Sequence, residues 1–169
     1  MQELGKGARR PAGQPKSDLK HVGIVGAGFM GASIAYVTAV SGLDVTLIDR
    51  DDEAAAKGKA TCEGLVKDSV GKGRMTQEEG AAILARITPS SDYSSLKTSN
   101  LVIEAVFEDR DVKKGVIEAV EAVLPEGAIF ASNTSTLPIT GLAQNSKRPS
   151  DFIGIHFFSP VEKMMLTEV

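Results

Sequence analysis

From Lys20 onward, short runs of β-branched and apolar residues alternate with longer segments of helical period, the habit of a sheet whose strands are joined by covering helices. Residues 21–25, 45–49, 101–105, 128–132 and 152–156 predict strands, each mostly apolar as strands buried on both faces should be, and 164–169 predicts a further one. Between them, 29–41 places Met30, Ile34, Val37 and Thr38 on one stripe. Residues 53–70 and 112–123 are similarly periodic, so all three segments predict crossover helices. Thr76 and Glu79 have capping-box spacing: a hydroxyl accepts from the backbone three residues on while the glutamate reaches back, predicting a helix over 77–85.

The turn after the first strand carries the first chemical signal. Gly26-Ala27-Gly28-Phe29-Met30-Gly31 follows an apolar strand and opens a helix. The first glycine can take the tight turn, the second can let a pyrophosphate approach the backbone, and the third can let helix and strand pack closely. The helix start, including Phe29 and Met30, then offers free N–H groups and the positive end of a dipole to an anion, with no lysine required. Asp49 lies 18 positions after Gly31, at a strand end where a carboxylate can accept from an adenosine ribose hydroxyl and would repel a 2′-phosphate. The expected fold is therefore a Rossmann-type doubly wound, mostly parallel α/β sheet with helices on both faces, and NAD is favoured over NADP.

Composition narrows the function classes. A chain of 169 residues with 42% hydrophobic content supports one sizeable core. A net charge of -3 lacks the basic footprint of a nucleic-acid binder. Cys62 stands alone, which excludes an internal disulfide and a Cys-rich metal site and reads as a structural thiol in a reducing compartment. No apolar run reaches the roughly 18 residues of a membrane span. Residues 1–19, rich in Gly, Pro, Lys and Arg, read as a linker or leader ahead of a domain spanning 20–169.

Three later segments are more specific. Leu101-Val102-Ile103-Glu104-Ala105-Val106-Phe107-Glu108-Asp109, Ile129-Phe130-Ala131-Ser132-Asn133-Thr134-Ser135 and Gly154-Ile155-His156-Phe157-Phe158-Ser159-Pro160 closely resemble the 3-hydroxyacyl-CoA dehydrogenase family. The likeness runs from about Lys20 to Val169. The stretch from Ser159 to Met164 is particularly similar to the multifunctional alpha subunits of fatty-acid β-oxidation complexes.

The resemblance implies NAD-dependent oxidation of (3S)-3-hydroxyacyl-CoA to 3-oxoacyl-CoA. It implies His156 as the general base, Glu168 as its acidic partner, Ser135 as the contact to the substrate oxygen and Asn133 as a nearby active-site amide. Glu108 and Lys113 match positions near the nicotinamide, although a solvated charge pair at a helix start explains them nearly as well. Imidazole suits the chemistry because its ordinary pKa lies near neutrality. The other histidine, His21, begins the first strand, far in topology from a crevice at the strand ends, and reads as incidental.

Further expectations rest on the same likeness. The family's helical C-terminal domain, which closes the acyl-CoA site and supplies most of the dimer contact, would follow Val169, and this chain alone would turn over weakly or not at all. The full protein would be oligomeric, with a thiolase subunit as a candidate partner, in the bacterial cytoplasm, or alternatively in the mitochondrial matrix or a peroxisome. Thr136 and Thr167 depart from the residues usual in relatives without removing a chemical role. The competing readings are a non-catalytic NAD-binding module and a dehydrogenase for 3-hydroxybutyryl-CoA or another hydroxy acid. Relatives acting on 3-hydroxyisobutyrate or 6-phosphogluconate share the cradle but use a lysine base.

Overall fold

The computed structural model describes residues 18–169, so nearly all of the segment read as a linker lies outside the described residues. Six parallel strands form one sheet in the order β3-β2-β1-β4-β5-β6. They are β1 (His21–Val25), β2 (Asp44–Ile48), β3 (Ile87–Ser90), β4 (Leu101–Glu104), β5 (Ile129–Ser132) and β6 (Phe152–Gly154). β1 pairs with β2 on one side and β4 on the other, so the strand order reverses there and a crevice opens at the carboxyl ends.

Helices cover both faces. On one side α1 (Phe29–Val40), α2 (Asp52–Gly71) and α3 (Gln77–Ala85) pack over Val22, Ile24 and Leu47. On the other, Val116, Ile117 and Val120 of α4 (Arg110–Glu121) and Leu142 of α5 (Ile139–Ala143) meet Val25, Val102 and Phe130. Val22 and Ile24 face one layer and Val25 the other, as the two-residue period of a strand requires. The predicted capping box is present in full, with Thr76 and Glu79 each satisfying the other's backbone N–H. Cys62 is completely buried and donates to the Ala32 carbonyl; burial pushes its thiol up to about 11 and makes it inert.

Several elements differ from the sequence expectation. β3 was not anticipated, because Pro89 interrupts its pattern; it lies at the sheet edge, where a proline is tolerated. Ile34 of the expected stripe is fully buried, but Val37 and Thr38 are only half-buried and Ala32, Ala35, Tyr36 and Ala39 turn to the core beside Ile34, so the buried face of α1 is rotated from the expected stripe. The strand expected over 152–156 breaks at Ile155. His156 instead starts β7 (His156–Phe157), which pairs antiparallel with β8 (Thr167–Glu168), a much shorter strand than the one expected over 164–169. Among the described residues, no helix is long and apolar enough to cross a membrane, and no group of three or more His, Cys, Asp or Glu is placed to hold a metal ion.

Candidate active site

The three glycines of the cradle sit in different surroundings. Gly26 has a φ of +95°, and a Cβ there would lie 2.7 Å from the Ala105 carbonyl oxygen; at Gly31 a Cβ would lie 1.7 Å from the Gly26 carbonyl oxygen. At Gly28 a Cβ would meet nothing within 4 Å. Two glycines are thus demanded by the fold, while the middle one opens onto free space. Gly28 also caps α1 without any side-chain hydrogen bond, and no acidic residue occupies the first turn, so the N–H groups beside Phe29 and Met30 are uncapped by protein side chains.

Asp49 follows β2 and braces this turn. Its Oδ2 accepts from Ala27 N–H at 2.6 Å and its Oδ1 from Arg50 N–H at 2.7 Å. Each oxygen retains capacity for another donor. The next helix is capped by Asp51, which accepts from Ala54 N–H, so Asp49 is not spent as a helix cap. A hollow of about 510 Å³ lies here, lined by Gly28, Phe29, Asp49, Arg50, Lys57 and others.

At the far side of the crevice, His156 and Glu168 are register partners across the β7–β8 pair, with His156 Nδ1 3.1 Å from Glu168 Oε2. Asn133, just past β5, accepts from Phe157 N–H through its Oδ1 at 2.9 Å, tying β7 to the main sheet. Ser135 follows two residues later. Two hollows adjoin at this point, one of about 300 Å³ reaching Met30, Ala105, Glu108 and Asn133, the other of about 320 Å³ reaching Leu137, Ile139 and Glu168. Ser135 and His156 line both.

Glu108 and Lys113 are not a solvated pair. Lys113 is 1% exposed and its Nζ donates to both oxygens of the buried Glu104, at 2.8 and 2.9 Å, with Glu108 Oε2 at 3.2 Å. Ser132 Oγ and Val106 N–H complete the shell of Glu104. Glu108 Oε1 accepts from the Thr134 and Thr136 hydroxyls and from the N–H groups of Ser135 and Thr136. Partial burial pushes the Glu108 carboxyl up, but those hydrogen bonds and Lys113 outweigh it and hold the group at about 2. Sequence reasoning missed Glu104, Ser132, Thr134 and Thr136. The signal available was an acidic residue ending an otherwise apolar strand, where burial requires partners.

His21 lies at the opposite end of β1, clamped between Thr98 and Thr46 hydroxyls at 2.7 and 2.8 Å, and takes no part in the crevice.

Comparison with known proteins decides the family. The model of the 3-hydroxyacyl-CoA dehydrogenase NAD-binding domain matches residues 21–169. This chain belongs to the 3-hydroxyacyl-CoA dehydrogenase family. It is 46% identical over 146 residues to the fatty acid oxidation complex subunit alpha of Colwellia psychrerythraea, a match that covers 86% of this chain and 20% of that protein. Among solved structures, the (S)-3-hydroxybutyryl-CoA dehydrogenase of Ralstonia eutropha is 42% identical with a TM-score of 0.86, covering 89% of this chain and 53% of that one. The 3-hydroxybutyryl-CoA dehydrogenase of Escherichia coli is 34% identical with the same TM-score, covering 89% and 32%. The chain therefore spans about a fifth to a half of the length of these relatives. As the family's NAD-binding domain, it has a cradle that fits the cofactor: an open position at Gly28, an uncapped helix start and a strand-end carboxylate, Asp49, with acceptor capacity left on both oxygens.

Proposed function

We propose that this 3-hydroxyacyl-CoA dehydrogenase domain is the cofactor-binding half of an enzyme that oxidises (3S)-3-hydroxyacyl-CoA to 3-oxoacyl-CoA. The observation that carries the reading is the His156–Glu168 pair at 3.1 Å, set where two hollows share His156 and Ser135 as a common wall. Gly26, Gly28, Gly31, Phe29 and Met30 would hold the pyrophosphate, Asp49 the adenosine ribose, and Glu108 and Lys113 the edge of the nicotinamide pocket. NAD, when bound, supplies the hydride acceptor.

The chain's own residues handle the proton. Nδ1–H of His156 donates to Glu168, which leaves Nε2 as the basic nitrogen to take the hydroxyl proton of the substrate. The carboxylate then stabilises the imidazolium that forms. Ser135 donates to the substrate oxygen as it becomes a carbonyl, and Asn133 holds β7 so that the imidazole meets it in register.

The whole protein would add a helical domain after Val169 and join a larger assembly, for which the complex named for the Colwellia relative is the support. A thiolase-type subunit is the proposed partner, the bacterial cytoplasm the proposed location, and residues 1–19 the proposed link to a preceding domain. The test is NADH oxidation with acetoacetyl-CoA by this chain alone and joined to the helical domain. Turnover by the joined form that His156→Ala abolishes is expected; undiminished turnover in that variant would replace the reading with a binding module that does no chemistry.

A further inference from the structure

Glu104 is the least expected charge in the molecule. It ends a strand buried on both faces, is 0% exposed and accepts four hydrogen bonds on its two oxygens, from Lys113, Ser132 and Val106. Burying an ion pair is not a general route to stability, since desolvating both charges offsets most of their attraction. What the pair does here is fix a third charge. Lys113 makes its two shorter contacts to Glu104 and a longer one, 3.2 Å, to Glu108. Glu108 remains turned toward the 134–136 backbone while lining the hollow that holds His156.

Two carboxylates facing one ammonium leave a net charge of minus one at this edge of the crevice. A dinucleotide with its pyrophosphate on Gly28 and its adenosine ribose at Asp49, beyond β2, must lay its reacting end over β4 and β5, beside this group. The nicotinamide ring is cationic in NAD⁺ and neutral in NADH.

Resting on the functional reading above, we infer that the Glu104–Lys113–Glu108 triad sets the preference of the site between oxidised and reduced cofactor, with Glu104 as the positioning residue that fixes its net charge. The triad favours the cationic ring, so it tightens NAD⁺ relative to NADH and opposes hydride transfer to the bound cofactor. Glu104 touches neither ligand. It acts by occupying Lys113, which would otherwise neutralise Glu108 alone.

The experiment is an equilibrium competition between NAD⁺ and NADH on the full chain, read by nicotinamide fluorescence, which yields the ratio of the two dissociation constants. Glu104→Gln makes the triad neutral and is expected to weaken NAD⁺ relative to NADH by roughly ten- to a hundredfold, the effect of one unit charge acting over about 6–12 Å at an effective dielectric of about 20. Glu104→Gln combined with Lys113→Met restores a net charge of minus one and is expected to return the ratio to that of the unaltered chain. A structural defect alone would weaken both nucleotides together. An unchanged ratio in Glu104→Gln, or a ratio that stays shifted in the double variant, overturns the inference. Should Glu104→Gln fail to fold, Glu108→Gln removes the same charge from a side chain one-third exposed and must shift the ratio in the same direction. If the unaltered chain binds neither nucleotide, the functional reading fails, and the inference with it.

Discussion

Asp49 Oδ2 accepts a 2.6 Å hydrogen bond from Ala27 N–H, so the carboxylate that follows β2 is fastened to the glycine turn that follows β1. The same side chain that would greet the ribose also sets the shape of the phosphate cradle. Asp49→Asn should therefore weaken NADH roughly 10- to 100-fold, the scale of losing a charge-assisted hydrogen bond of about 1.5–3 kcal/mol. It should also narrow the margin between NADH and NADPH. Fluorescence titration with both nucleotides measures the two effects; an unchanged ratio of the NADH and NADPH affinities would remove Asp49 from the discrimination.

Gly28 and Gly31 invite a paired experiment. An alanine Cβ at Gly31 would overlap the Gly26 carbonyl oxygen at 1.7 Å, whereas one at Gly28, whose φ is -68°, would point into open space. Gly31→Ala should lower Tm sharply or prevent folding. Gly28→Ala should leave Tm within about 2 °C, a surface-scale change, and weaken NADH by an order of magnitude or more because the methyl takes the room of the pyrophosphate. Calorimetry and titration separate the outcomes, and intact binding by Gly28→Ala would show that the phosphate lies elsewhere.

Glu108 links stability to acid. Its folded value of about 2 lies below the ordinary carboxyl value of 4.5, so the unfolded chain takes up the proton first as pH falls. The stabilisation is fully present above about 4.5 and is lost as pH drops towards 2. Since the side chain is one-third exposed, solvent screening reduces its size. Denaturant unfolding at a series of pH values should show a smaller loss between 4.5 and 2 for Glu108→Gln than for the unaltered chain. Identical slopes would mean that the unfolded state holds this carboxyl equally well.

His156 and Glu168 should act unequally. In the form joined to the helical domain, His156→Asn should lower kcat by about 10²- to 10⁴-fold, the range of general acid–base contributions. Glu168→Gln should cost less, since an amide oxygen can still accept from Nδ1–H but carries no charge to stabilise the imidazolium. Steady-state kinetics with saturating NADH and a 3-oxoacyl-CoA settles the order; a larger loss at Glu168 would assign the proton to the carboxylate.

The parallel sheet was legible in sequence because β1, β2, β4 and β5 are compact apolar runs with turns and helices between them. β3 was not, because Pro89 and Ser90 make its four residues read as a loop, and its place beside β2 depends on tertiary pairing. α5, five residues long, is too short to show a period. The cradle, Asp49, His156 and Glu168 were legible through motif and resemblance. The Glu104 network was not, because spacing along the chain does not reveal that Lys113 bends back to β4 or that Glu108 reaches the turn after β5. Asn133 was read as an active-site amide, and its hold on Phe157 N–H became visible only with the register of β7.

Pro89 has a second effect. The carbonyls of Arg86 and Ser90 accept from β2, so by strand alternation the backbone of residue 89 faces outward, along the rim of the sheet. A proline there has no N–H to offer. A stray strand approaching this rim finds a gap in the ladder, so the β3 side of the sheet resists extension by another chain, and self-association through open β edges is discouraged at that side.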